Sequence, residues 1–385
     1  MAGDVQIAAA LSQHPLATVA AGECLGDVYE RLGGDVDLCA VFATPPFGGV
    51  LDEVVGATRE LLDPTVTFGA ASGAVAAGGQ QVEESGAIAV WAARLPAAPT
   101  PIRLGSAIEE GEASQGWTEL AARTGTLLLL VDPFGFPVER LLDFCSTVAP
   151  DLQVIGGLTA SSTEIGGELL SLDGRFHRDG AVGAWLPPEV DVRPVVSQGC
   201  RPFGEPLVVT KSERNIVYEL GGQPALDRLM AQLETLGPAD RAVAAQGIHA
   251  GIVIDDQRHE YGHGDFLIRN VLGADRSVGA VAVGHDVDVG SIVQFQLRDP
   301  ARASEDLALA LDDLTATGAL LFTCTGRGSA MFATASHDPT LVSEALAGAP
   351  LAGMSCSGEL GPVRGTNFVH TFTASLAIFG SGSHH

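Results

Sequence analysis

The chain has 385 residues, 46% of them hydrophobic, with 47 acidic residues against 21 lysines and arginines and a formal net charge of −26. That length is a prior for two or three domains with ample core. A single lysine, Lys211, and arginines that form no cluster leave no basic face, which excludes a nucleic-acid binder and disfavours an anionic membrane surface.

Residues up to about Gly34 read as helical, ending on Gly33-Gly34. Leu38–Thr44 reads as a buried strand. A loop at Pro45-Pro46-Phe47-Gly48 and an amphipathic helix with Val50, Leu51, Val54, Val55, Leu61 and Leu62 follow. VTFGAASGAVAAGG is a strand running into glycines, and Gly86–Leu95 is a third strand. The pattern then recurs as Thr126–Asp132, a loop and helix, LQVIGGLTASS, and Gly180–Pro187. Pro46-Phe47-Gly48 matches Pro133-Phe134-Gly135, and Phe68-Gly69 matches Ile155-Gly156, both at an offset of 87 residues by subtraction (133 − 46; 155 − 68). A third occurrence lies in Gly318–Phe379, where Gly353-Met354-Ser355-Cys356-Ser357 is aligned with Gly157–Ser161 and Gly69–Gly73.

Val195–Arg298 differs, with several strands, one helix in QPALDRLMAQLETLG, and Ser304 as candidate N-cap of the helix that leads back. The expected fold is α/β with mixed sheets. Strand–helix–strand–strand units (about 38–95 and 126–187, then the third) form facing β-sheets flanked by helices. The expected domains are 1–195 and 196–380, with 381–385 a tag remnant.

Six cysteines without a CxxC pair read as reduced thiols of an intracellular protein. The N-terminus has no basic n-region, and no apolar run reaches ~18 residues, so the expected location is the cytoplasm, without a membrane span.

Several ordered motifs carry a family resemblance: SQGCRPFGEPLVVTKSERNIVYELGGQPAL, GDFLIRNVLGAD, VQFQLRD, LLFTCTGRG and SGELGP…NFVHTFTASL. With these the chain resembles the FIST family (F-box and intracellular signal transduction) over about Asp27 to Phe379, in its stand-alone bacterial form. The resemblance implies an intracellular sensory module that binds a small molecule such as an amino acid and acts through a separate signalling partner.

The candidate site follows from chain direction. The exits at Cys324 and Gly353 are rich in small residues. If a crossover helix joins their strands, both carboxyl ends fall on one sheet edge, where open α/β sheets bind ligands. The expected lining is Cys324, Arg327, Ser355, Ser357, Glu359 and His370, with Gly156, Thr159 and Ser161 facing it and Arg269 as a further cation. Arg327, Arg269 and Arg364 suit an anionic group, and Glu359 an amine, so Arg327 and Glu359 together would read a zwitterion or small carboxylate. The duller readings are tight turns for the small residues, a buried thiol for Cys324 and surface ion pairs for the arginines. The rival functions are a Cys/His-dependent enzyme at Cys324 and His370, and a protein-interaction scaffold. A catalytic role is the lesser expectation, and no cofactor is implied. His259-Glu260-Tyr261-Gly262-His263 satisfies HExxH, but its glycines and strand-like flanks oppose the helix that a zinc site needs, so no metal is expected there.

Overall fold

The computed structural model describes residues 5–105, 116–254, 261 and 264–380. By compactness the chain forms two units. One comprises Met1–Ser197, Leu307–Val369 and Thr373–His385; the other comprises Gln198–Asp306 and His370–Phe372. Compactness thus groups the third segment with the first two.

The first segment opens with β1 (Gln6–Ser12), α1 (Ala17–Leu32), β2 (Leu38–Ala43), α2 (Pro45–Gly48), α3 (Leu51–Leu62) and β3 (Val66–Ala71). A hairpin of β4 (Ala74–Ala77) and β5 (Gln80–Glu83) and then β6 (Ile88–Arg94) complete it. The second segment repeats the strands and the crossover helix, without counterparts of α1 and α2 among the described residues, as β7 (Thr100–Leu104), β8 (Gly125–Val131), α4 (Val138–Val148) and β9 (Leu152–Leu158). It continues with the hairpin β10 (Leu170–Leu172) and β11 (Arg175–His177), then β12 (Ala181–Leu186). β13 (Val192–Gln198) leaves it.

The other unit holds β14 (Cys200–Pro202), β15 (Leu207–Glu213), β16 (Ile216–Leu220), β17 (Gln223–Pro224), α5 (Ala225–Glu234), α6 (Pro238–Ala244) and β18 (His249–Val253). It also holds β19 (Phe266–Asp275), β20 (Ala280–Val283) and β21 (Ile292–Arg298). Its antiparallel pairings run β21–β15–β16–β20–β19–β18 and return to β21. Closing the circuit leaves no free edge among these six strands. Val209, Val217, Ala250, Val281 and Phe295 fill the core, and Leu229 of α5 packs on it. α7 (Pro300–Leu311) carries the chain onward. Asp299, not Ser304, caps it: Arg302 N donates to Asp299 Oδ1 at 3.1 Å, whereas Ser304 lies inside the helix and donates to Pro300 O.

The third segment is β22 (Gly318–Cys324), α8 (His337–Ala345), β23 (Leu351–Cys356), the hairpin β24 (Gly358–Val363) and β25 (Thr366–His370), and β26 (Thr373–Phe379). Among the described residues the three segments build three six-stranded sheets of one strand order: β1-β6-β2-β3-β10-β11, β7-β12-β8-β9-β24-β25 and β13-β26-β22-β23-β4-β5. Each segment therefore keeps four strand positions and lends its hairpin to another segment's sheet. The exchange is cyclic. The two strands that flank the crossover helix in each segment, β2 and β3, β8 and β9, and β22 and β23, pair parallel, as such a crossover requires.

Sequence alternation explains the layers. In β8, Leu128 and Leu130 face a core shared by all three sheets, while Leu127, Leu129 and Val131 face the helix side with Leu141 and Cys145 of α4. Phe42 meets Phe322 edge-on at 6.5 Å and Trp91 meets Phe379 at 5.0 Å inside that shared core. The outer faces carry α1 and α3 on the first sheet and α7 and α8 on the third.

Four features depart from the sequence reading. Gln6–Ser12 is a strand paired with β6, not the start of a helix, because an alanine-rich run has no decisive period of its own. The hairpins are strands where glycine-rich tails were expected. Gly353 corresponds in register to Gly156, not Gly157: each lies opposite the strand that precedes the crossover helix, against Leu321 and Leu129, as Gly69 lies against Val41. A Cβ at any of the three would lie inside the carbonyl oxygen of that partner residue. Finally, Phe47 sits in α2 against Gly86, whereas Phe134 is exposed in a turn. The HExxH stretch lies outside the described residues except for Tyr261.

Candidate functional site

A cavity of about 190 Å³ lies at the carboxyl ends of β22 and β23. Cys324, Thr325, Arg327 and Ser355 form one wall. The opposite wall comes from the borrowed hairpin and its flanks: Gly73 and Ala74, then Gln81, Glu83 and Glu84. Three of the expected lining residues, Cys324, Arg327 and Ser355, thus share one concavity.

Each is fixed by its neighbours. Ser355 Oγ accepts from Ala74 N at 2.8 Å, and Ser72 Oγ donates to Ser355 O. Gly326 N donates to Cys324 Sγ at 3.4 Å, and Arg327 N to Cys324 O, which tightens the turn leaving β22. The Arg327 guanidinium is wholly buried. It grips Asp338 of α8 with two parallel bonds, Nε–Oδ2 at 2.5 Å and Nη2–Oδ1 at 2.8 Å. Phe332 stacks on His337, whose Nδ1 lies 2.9 Å from Asp338 Oδ1, and the Arg327 guanidinium rests over the Phe332 ring. Burial works against both charges, but the pair outweighs it: Arg327 is held above its ordinary value and Asp338 below. Two of the Arg327 bonds are therefore given to an internal carboxylate.

Glu359 is fully buried on β24. Thr373 donates to its Oε2 twice, from N at 3.2 Å and Oγ1 at 2.6 Å, while Oε1 has no hydrogen-bond partner. Burial pushes this carboxyl up to about 8, against the pull of Thr373, Arg327 and Cys324. The carboxyl thus stands within electrostatic reach of two residues of the cavity wall. The rim adds Glu83, which accepts from Gln81 Nε2 at 3.0 Å and from both N and Oγ of Ser329.

The remaining candidates do other work. Gly156 serves close strand approach. Thr159 Oγ1 donates to Val131 O, and Ser161 Oγ donates to Glu168 Oε2 at 2.6 Å, so both hydroxyls fasten turns. Ser357 is exposed, with Oγ 2.9 Å from Thr159 O. His370 and Arg269 belong to the other unit; Arg269 Nη1 donates to Ile268 O. Arg364 sits at the β24–β25 turn with φ 53°. The sequence reading missed Glu83, Glu84 and Asp338. The first two come from a hairpin borrowed across some 240 residues, and no local pattern announces such an exchange. All six cysteines are free and buried, and no helix among the described residues is long and apolar enough to cross a membrane.

Comparison with known proteins identifies the family. The FIST N domain matches residues 37–223 and the FIST C domain residues 225–362. An uncharacterised protein of Mycobacterium bovis is 38% identical over 97% of this chain and 99% of its own length. An uncharacterised protein of Mycobacterium tuberculosis is 37% identical over 97% of this chain and its own full length. The chain belongs to the FIST family, whose domains are sensory domains of signal transduction.

Proposed function

We propose that the chain is a cytoplasmic small-molecule sensor whose ligand enters the cavity at Cys324, Arg327 and Ser355, and that it passes the signal to a separate partner protein. The observation that carries the reading is Glu359: a buried carboxyl with an unpartnered oxygen, close to two residues of a cavity wall. Groups left partly unsatisfied in a folded protein are concentrated where function needs them. The cavity is smaller than the ~300–1,000 Å³ of sites for drug-sized ligands, so the occupant is of amino-acid size.

Its charge decides which end of an amino acid is read. Arg327 is engaged by Asp338, and the amides of Thr325, Gly326 and Arg327 already donate within the protein. Glu83 and Glu84 face the opening. The ligand is therefore a compact amine, the ammonium end of an amino acid foremost, rather than a carboxylate held by a free guanidinium. The three segments of like strand order are, in this reading, internal copies of which the third has been adapted for binding.

A thermal-shift and calorimetric screen of amino acids, their decarboxylated amines and small carboxylates tests this. Amines should stabilise the wild type by mass action, and Glu84→Gln should reduce the shift. Stabilisation by carboxylates alone, or shifts identical in that variant, would refute it.

A further inference from the structure

A second concavity of the three-sheet unit, about 530 Å³, shares no lining residue with the first and has the opposite character. Arg59 of α3, Arg103 of β7, and Arg175 and His177 of β11 converge on it. The chain as a whole carries −26, so three guanidiniums and an imidazole around one hollow are a local arrangement against the global field.

Two of the cations are held in place. Arg59 Nη1 lies 3.3 Å from Asp173 Oδ1, and that same oxygen accepts from Thr67 N at 2.9 Å. Arg103 Nη2 lies 2.6 Å from Asp179 Oδ1, and its Nη1 donates to Leu104 O. Gly180 (φ 72°) makes room for that guanidinium; a Cβ there would collide with Nη1. The other two are uncommitted. The side chains of Arg175 and His177 have no hydrogen-bond or ion-pair partner among the described residues. A two-residue turn, Asp173-Gly174 with φ 50° and 77°, places Arg175 at the start of β11. Burial first, then the Arg103 and Arg175 charges, hold His177 below its ordinary value despite Asp179.

We propose that this hollow binds the phosphate group of a small phosphate ester, with Arg175 and His177 as its principal ligands and Arg59 and Arg103 flanking them. Guanidinium forks suit both carboxylates and phosphates. A carboxylate offers about four acceptor sites and a phosphate dianion more, so several guanidiniums and an imidazole lining one hollow suit the phosphate better. They match a dianion with three terminal oxygens. The volume leaves space beyond a phosphate for the esterified body, and Pro101 and Leu172 supply apolar wall for it. Glu119 on the rim is an acceptor for hydroxyl groups. This site and the acidic cavity share no lining residue, so each stands or falls alone.

Isothermal titration and ³¹P NMR with ribose 5-phosphate, inorganic phosphate and succinate test the proposal on the full chain. Ribose 5-phosphate should bind more tightly than phosphate and much more tightly than succinate, with affinity falling as salt rises. Arg175→Gln and His177→Gln change side chains that hold no partner, so both variants should melt like the wild type. Each should weaken ribose 5-phosphate by about tenfold or more. Tighter binding of succinate, no binding of either phosphate compound at millimolar concentration, or unchanged affinity in Arg175→Gln would overturn it.

Discussion

Three hairpins enter three sheets at one register, and the residue set beside the conserved-in-place glycine differs among them. Val75 lies opposite Met354, Leu170 opposite Ala70, and Glu359 opposite Gly157, each one residue beyond Gly353, Gly69 and Gly156. Val75 and Leu170 are fully buried in the core shared by the sheets. Gly157 alternates with Ile155, itself a member of that core, so Glu359 faces the same interior. The fold accepts a branched hydrophobe at this position twice, so the carboxyl is not a requirement of the hairpin exchange. It is a polar group added where packing alone would choose Val or Leu, and it carries a desolvation penalty that packing does not explain.

The most direct way to break the comparison is to move the carboxyl. Val75→Glu should destabilise by about 5 kcal/mol, or prevent folding, because it buries a carboxyl in the apolar core that Val75 fills. Chemical denaturation measures this, with Val75→Leu as the volume-matched control. A small loss would mean that these sheets tolerate a buried carboxyl anywhere, and Glu359 would lose its distinction.

The Arg327–Asp338 pair comes next in size. Asp338→Asn leaves a buried guanidinium without its countercharge and should cost about 3 to 4 kcal/mol. Asp338 is held below its unfolded value, so its contribution is present at neutral pH and lost as pH falls through the folded value. The wild type and Asp338→Asn should therefore converge in stability in acid. A constant gap at all pH values would show that the pair acts by packing alone.

Much of this was legible in the sequence, and the exceptions have a common cause. The buried strands at Leu38, Thr126 and Ala319 announce themselves by continuous apolar runs, and the parallel pairing follows from the helix between them. The small residues at the exits were also visible, but their use was not. Gly69, Gly156 and Gly353 admit a neighbouring backbone, and Ser72, Ser355 and Gly73 sit where the exchanged hairpins cross. Which sheet a hairpin joins is a long-range choice, so Glu83, beside Ser329, and Gln81, beside Ser336, could not be placed from local pattern. Arg327 was recognised as a cation near the site, yet its partner Asp338 lies eleven residues on, across an irregular segment without periodicity.

Glu359→Gln sharpens the comparison through pH. The folded value of about 8 stands above the ordinary 4.5, so the native state binds more protons than the unfolded chain between those values. Stability must then fall as pH rises through that window. Gln keeps an acceptor for the two Thr373 donors and removes the titration. Relative to Glu359→Gln, the wild type should lose roughly 3 kcal/mol between pH 5 and pH 8. Parallel profiles would mean that the carboxyl is already solvated in the folded state.

The smallest effect separates two serines on neighbouring positions. Ser355 and Ser357 were both expected to line the ligand cavity, but they stand two residues apart on a chain that is leaving β23, and their partners differ. Ser355 is buried, and its Oγ accepts from the Ala74 amide at the point where the borrowed hairpin enters. Removing that oxygen leaves a buried N–H without an acceptor, so Ser355→Ala should cost about 1 to 2 kcal/mol and weaken ligand binding at the cavity. Ser357 is exposed, and its Oγ donates to the Thr159 carbonyl and, at 3.5 Å, to that of Leu158, where water can serve instead. Ser357→Ala should cost no more than about 0.5 kcal/mol and leave amine binding unchanged. Equal losses in the two variants, or a binding defect confined to Ser357→Ala, would move the site away from the β4–β5 hairpin and toward the exit of β9.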